Sequence, residues 1–313
     1  LGVLGLVDTQ TIFAQPAYVT KLPKYATFEM GSSSVSGSPR AEGGFLTEQD
    51  GAKWGAHLGH QSTYQNTFRG TTFQHQDNPV DLLYGAGNWG TSLSLSNSED
   101  MTTDTKQTTV VVRGGMLLEG DQEVAVSVDA LGTAEKTTAA VTDKFKTKLP
   151  TIEASYLKRM GANVVSATIA YGDGEQTVSN VTSEMKLTGA SIGFNHWLQE
   201  NSLYAGLLLN YASLEVAGKA RKVQSLPIVL GFEKEAATWL TLRGSVQQNF
   251  LLGSVKDDIT PVKEKKNLND TTVAAGAGMK WGTFTIDALF AASTTGKING
   301  NDFLTQGSLT YWF

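Results

Sequence analysis

The stretch Gln306-Gly307-Ser308-Leu309-Thr310-Tyr311-Trp312-Phe313 decides how the rest of the chain is read. Successive side chains of an extended strand point to opposite sides. Leu309, Tyr311 and Phe313 therefore share one face, and Ser308, Thr310 and Trp312 share the other. The first face is wholly apolar and ends in aromatic rings, while the second is mostly polar. Such a strand separates an apolar medium from a polar one.

The same period recurs almost from end to end. Val124, Val126, Val128 and Ala130 alternate with Ala125, Ser127 and Asp129. Leu240, Leu242, Gly244 and Val246 alternate with Thr241, Arg243, Ser245 and Gln247. Phe284, Ile286, Ala288 and Phe290 alternate with Thr285, Asp287 and Leu289, and Trp89, Thr91, Leu93 and Leu95 with Gly90, Ser92, Ser94 and Ser96. Helical spacing persists nowhere beyond about two turns. The chain has 313 residues, 40% of them hydrophobic, and a mean hydropathy of −0.16. No apolar run approaches the roughly 18 residues of a membrane helix. A membrane barrel escapes that test, because its lipid-facing and lumen-facing residues alternate and cancel in the average.

Composition removes several function classes. There is no cysteine, hence no disulfide, thiolate zinc site or cysteine nucleophile. A net charge of −5 gives no basic surface for nucleic acid. Glycine is plentiful at 33 residues and proline scarce at 7, which argues against disorder. Leu1 to Leu6 are apolar without a basic stretch, and Asp8 follows soon after. The expectation is a chain from which an export signal has been removed.

Connections also alternate. Short ones fall at Glu119-Gly120-Asp121, 158–163, 198–202, 233–236 and 280–282, and long polar ones at 132–147, 173–183, 216–222, 252–269 and 294–303. Tight periplasmic turns opposite long outer loops are the habit of membrane barrels. With Phe313 last and apolar residues two and four positions before it, Leu309, Tyr311 and Phe313 resemble the signal read by the barrel assembly machinery of the Gram-negative outer membrane. The resemblance implies that machinery as a partner, together with phospholipid and lipopolysaccharide around the wall.

The expected fold is all-β, a transmembrane antiparallel up-and-down β-barrel over 24–313, preceded by a lumenal or periplasmic segment, 1–23. Counting back from Phe313 gives fourteen strands, at about 24–33, 52–62, 88–97, 106–118, 122–132, 148–158, 163–172, 185–197, 202–215, 223–233, 238–251, 271–280, 283–293 and 304–313. Twelve and sixteen are the alternatives, since Gly43–Gln49 has room for a strand and 63–86 is ambiguous. Within the latter, Asn78 can cap, Pro79 suits a first turn and Gly85 a stop, so 77–85 reads as a short helix at the periplasmic rim or in the lumen.

The segment Asp8-Thr9-Gln10-Thr11-Ile12-Phe13-Ala14-Gln15-Pro16-Ala17-Tyr18-Val19 resembles the N-terminal "NPA" segment of the FadL-like family of fourteen-stranded barrels, with Gln15 for the usual Asn. In that family the segment enters the lumen as a hatch, and the resemblance implies a path for hydrophobic molecules. Together with Asn78-Pro79-Val80-Asp81-Leu82-Leu83 it is also similar to abundant porin-like proteins of predatory or delta-type bacteria.

His57, His60, His75 and His196 accompany no nucleophile motif, so no catalytic, metal or cofactor site is expected. Gly85-Ala86-Gly87 and Gly276-Ala277-Gly278 read as wall positions that admit a plug or a neighbour, not as phosphate loops. Glu29, Lys53, Arg113, Asp129, Glu153, Arg243 and Asp287 fall on the inward rows, where an ionisable residue faces water or a partner. They would line a diffusion pore of porin type or pin a hatch. Two other readings stand beside the porin. One is an architectural homo-oligomer, with flat outward rows such as Val273, Ala275 and Ala277 as its contact. The other is a FadL-like transporter, with Pro227 kinking its strand.

Overall fold

The computed structural model describes residues 7–32, 39–70, 72–138, 141–199, 202–252, 256–259, 271–294 and 306–313. The expected loops at 252–269 and 294–303 lie largely outside them, as do Leu1 to Leu6.

The wall is one antiparallel sheet of sixteen long strands: β1 (Tyr25–Ser32), β2 (Pro39–Gln49), β3 (Ala52–Leu58), β4 (Val80–Ala86), β5 (Trp89–Asp100), β6 (Thr105–Leu118), β7 (Gln122–Thr138), β8 (Val141–Met160), β9 (Asn163–Val178), β10 (Val181–Gln199), β11 (Leu203–Val216), β12 (Lys219–Ala237), β13 (Leu240–Leu251), β15 (Thr271–Trp281), β16 (Phe284–Thr294) and β17 (Gln306–Trp312). A two-residue strand, β14 (Lys256–Asp257), lies on β12. Neighbours in sequence are neighbours in space, and β1 pairs with β17 from Tyr25↔Trp312 to Gly31↔Gln306. That pairing closes the sheet, so no strand edge is left.

Closure and the outward face together place the barrel across a membrane. Every long strand sends at least one large apolar side chain outward into exposure, from Phe28, Phe45 and Leu58 through Ile152, Ile169 and Ile192 to Ile286 and Leu309. A soluble monomer tolerates contiguous apolar patches of only about a few hundred Å². In lipid the same belt is required, and closed pairing satisfies the backbone groups that have no water to bond. Aromatic rings gather where the belt meets the short turns. Trp54, Tyr84 and Trp89 form one group, with ring centroids 6.2 and 5.4 Å apart. Phe284, Tyr311 and Phe313 form another, at 4.9 and 5.7 Å. This is the interfacial girdle.

Three expectations need correction. The barrel has sixteen strands, not fourteen; the additional ones are β2 and β4. The segment 77–85 is not a helix. Val80–Ala86 is β4, and Asn78 sits at φ +47, outside any cap geometry. The helix of this region is α1 (Thr63–Arg69), capped by Ser62, whose side chain accepts from Gln65 N. It belongs to the connection from β3 to β4, which leaves the end opposite the short turns, not the periplasmic rim. Finally, 132–147, 173–183 and 216–222 are mostly strand. β8, β10 and β12 run 20, 19 and 19 residues, against the roughly 9–11 that cross a bilayer. Their outer parts stand beyond the membrane as hairpins. Two of these close through Ser179-Asn180 and Ala217-Gly218, with φ of +49 and +66, and +52 and +75, the geometry of tight hairpin turns.

Candidate functional site: the lumen

Two segments enter the lumen from opposite ends. From the periplasmic end, residues 7–24 fold into two 3-10 turns, Thr11–Phe13 and Pro16–Thr20. Asp8 Oδ1 accepts from Gln10 N at 2.9 Å and Thr11 N at 2.7 Å, starting the first turn. Pro16 starts the second, and Gln15 Oε1 accepts from Ala17 N at 3.3 Å. Ile12, Phe13, Tyr18 and Val19 are buried with Leu22, Tyr25, Leu46 and Leu83 in a cluster inside the barrel.

The wall beneath is shaped for this segment. Lys53, Gly85, Gly90, Gly115 and Ala125 are direct cross-strand neighbours on β3 to β7 and form one inward row. A Cβ on Gly90 would overlap the Pro16 carbonyl oxygen, and one on Gly115 would overlap Gln15 Oε1. The Gln15-Pro16-Ala17 turn therefore lies on bare backbone, and Gln15 Nε2 donates to Val124 O at 3.1 Å. Polar latches surround it. Lys53 Nζ donates to Thr20 O at 3.2 Å and to Leu22 O. Tyr18 donates to Glu123 Oε2 at 2.6 Å and accepts from Arg159 Nη2 at 2.8 Å, and Arg159 also pairs with Glu123. Gln10 and Thr9 donate to Glu29 at 2.7 and 3.2 Å. Burial and Glu123 together push the Tyr18 phenol well above its usual range. Below the segment is a vestibule of about 600 Å³ bounded by Lys21, Asp121, Glu123, Arg159 and Trp312.

From the other end, the β3–β4 connection turns inward. Ser62 Oγ donates to Asp129 Oδ2 at 2.6 Å, and Tyr64 donates to Glu153. Arg69 is fully buried. It donates to Gln107 Oε1 at 3.0 Å, Thr109 Oγ1 at 2.7 Å, and the carbonyls of Thr108 and Thr133 at 3.2 Å each. Phe68 and Phe73 pack on Phe145, Ala134, Ala170, Met185 and Leu187 of the wall.

Each of the seven inward charges can now be placed. Glu29, Lys53, Asp129 and Glu153 hold the two segments. Arg113 pairs with Asp81 at 3.0 Å, with side chains only 7% and 0% exposed. Arg243 reaches Glu233 Oε2 at 2.7 Å and Asp287 Oδ1 at 2.6 Å, and those of Arg243 and Asp287 remain 43% and 36% exposed. Asp81, Glu123, Arg159, Arg69 and Glu233 complete the network and were not singled out by sequence. Asp81 was hidden by the helix reading of 77–85. Two of the four histidines meet at one ring and the other two lie apart. His57 is buried edge-on to Phe13, and His60 stacks on that ring at 3.5 Å beside Glu42. His75 contacts Gly70 O and His196 contacts Asn163. At the seam, Thr27 and Thr310 share a buried hydrogen bond of 2.9 Å, and Leu309, Tyr311 and Phe313 point outward.

No protein-family model and no curated protein sequence matches the chain. Among solved structures, CdiB from Acinetobacter baumannii superposes with a TM-score of 0.55 at 10% identity, over 93% of this chain and 60% of that one. The chain thus spans about three fifths of the length of that structure. The outer membrane channel DcaP of Acinetobacter baumannii gives 0.49 at 14% identity, over 93% and 96%. A Pseudomonas aeruginosa FadL homologue gives 0.45 at 11%, over 100% and 96%. Sixteen strands also depart from the fourteen that the FadL resemblance implied. The shared ground is the wall, and the chain has the closed, up-and-down barrel fold of bacterial outer-membrane proteins.

Proposed function

We propose that the barrel is a passive diffusion channel whose water path runs along the inner face of β11 to β16, past Arg243, Glu233 and Asp287. One observation carries this reading. The inward charges against the two inserted segments are partly or fully buried and each is committed to a partner there, whereas the Arg243 cluster pairs within the wall and its side chains stay 36–43% exposed. An exposed cluster of one cation and two anions on one side of a lumen sets a local field that sorts small solutes by charge. The seven inward charges thus divide into four that hold the filling, one that stiffens the wall beneath it, and two that line the path.

The test is conductance of the purified chain in planar bilayers. Steady steps are expected. Arg243→Gln, which leaves Glu233 and Asp287 without their cation, should shift the reversal potential toward cation preference with little change in step size. Silent bilayers, or an unmoved reversal potential, would contradict the proposal.

A second reading is favoured by a break in the wall. The β11–β12 ladder runs to Leu207↔Ile228 and resumes at Asn210↔Ser225, so Leu226 and Pro227 have no rung on that side. Proline has no donor for the ladder. A hydrophobic molecule would leave sideways at such a gap. Silence in bilayers combined with saturable fatty-acid binding would favour this transporter over the channel.

A further inference from the structure

The outward face of β8, β9 and β10 changes character over two steps along the strands. Ile152, Ile169, Tyr171 and Ile192 are exposed and apolar, as a lipid-facing wall requires. The next outward level sets the exposed Leu149 of β8 beside a buried Asp173 and an exposed Lys186, and the level beyond carries charged residues on all three strands. Asp173 stands opposite Lys186, and Glu175 opposite both Lys146 and Glu184. Lys144, Lys146 and Lys148 follow one another at spacing two on β8. Three ion pairs run across the ladder: Lys144 to Glu135 at 3.9 Å, Lys146 to Glu175 at 3.0 Å, and Lys148 to Glu184 at 2.5 Å. The three lysine side chains are nonetheless 45–60% exposed.

Position names the occupant. A wall that turns from apolar to charged within two neighbouring levels marks the top of the hydrocarbon layer, and the next layer of a bilayer is its head groups. Two features fit that layer to phosphate. An ammonium carries three donors, and a single carboxylate leaves some of them unused. Lys144 and Lys146, on regular rungs of β8, stand about 7 Å apart and can engage neighbouring anions together, with Lys148 next to them at a register shift.

We propose that the outward face of β8 to β10 above Tyr171 binds the phosphorylated head groups of the outer leaflet, with Lys144, Lys146, Lys148 and Lys186 donating to phosphate oxygens. The proposal rests on the barrel spanning the membrane with these hairpins outside. It does not rest on the channel reading, so a non-conducting protein would leave it intact.

The test uses the full chain in non-ionic detergent, with retained lipid counted by native mass spectrometry. Three probes are compared: a diphosphorylated, acylated disaccharide lipid, the same lipid with its phosphates removed, and free pyrophosphate. The diphosphorylated lipid should bind at least about tenfold more tightly than the stripped one, with pyrophosphate a poor competitor because it lacks the acyl chains. The triple variant Lys146→Gln, Lys148→Gln, Lys186→Gln should lose about tenfold for the phosphorylated lipid and nothing for the stripped one. These residues are solvent-facing, and resistance of the barrel to heat in detergent reports that the variant folds. In a second variant, Glu175→Gln with Glu184→Gln, the lysines are freed and phosphate binding should hold or strengthen. Equal affinity for the two lipids, unchanged affinity in the lysine variant, or a loss in the glutamate variant would each overturn the proposal.

Discussion

Arg113 and Arg243 both stand on inward rows of the same barrel, both beside aspartate, and their surroundings differ. Arg113 and Asp81 are shut away beneath inserted chain, while Arg243, Glu233 and Asp287 stay 36–43% exposed among the described residues. From β1 to β10 the lumen holds residues 7–24 and the β3–β4 connection, fixed by two apolar clusters and a web of hydrogen bonds. Leu214 and Val216 of β11 still pack against the second cluster, and from β12 to β16 the described wall stands by itself. Identical residue types thus serve as internal cement on one side and as a solvated lining on the other. What separates them is what the lumen contains at that height, and no local property of the strands reports it.

The largest expected difference is in stability. Arg113→Ala leaves Asp81 buried without its cation and should cost about 3–5 kcal/mol. Arg243→Ala removes a solvated partner and should cost under about 1 kcal/mol. Denaturant or thermal unfolding of both variants in detergent measures the contrast, and similar losses would erase it. Next in size is Gly90→Val. Its side chain collides with the Pro16 carbonyl, so the N-terminal turn must lift. A loss of about 1–3 kcal/mol is expected, together with larger conductance steps. The equivalent change at Gly244, on the outward row of β13, should leave conductance unchanged. The smallest effect is that of Tyr18→Phe, which removes a hydrogen bond to Glu123 while Arg159 still pairs with that carboxylate. About 1 kcal/mol is expected, with no change in the size of the steps.

The two halves were unequally legible in the sequence. Where a strand faces lipid on one side and water on the other, its alternation is plain, as in β13 with Leu240, Leu242 and Val246 against Thr241, Arg243 and Ser245. Where it faces filling, the inward residues become small or apolar and the pattern fades. In β4, Leu83 is apolar because the N-terminal cluster packs on it, and Gly85 is bare because the segment lies there. With Asn78 and Pro79 just before it, that run mimics a capped helix. In β2, Gly43 and Gly44 erase one turn of the alternation, and Gly44 does so to admit the His57 ring. The hairpins outside the membrane were read as loops for a different reason: both their faces meet water, so neither needs to be apolar. The charges themselves were found by parity alone. The rest of the network, Asp81, Arg69 and Arg159, depends on pairings across 32 to 141 residues of sequence, which no local pattern carries.

The central claim is that water runs along one half of the lumen and not the other. The chain has no cysteine, so single thiols report without background. Ser245→Cys on β13 and Ser94→Cys on β5 both point inward, the first partly exposed and the second fully buried. Each would be treated in bilayers with a charged, membrane-impermeant thiol reagent while current is recorded. The account predicts rapid modification at position 245 with a stepwise fall in current, and protection at position 94 until the protein is unfolded. Equal reactivity at the two positions, or reaction at 94 alone, would contradict it.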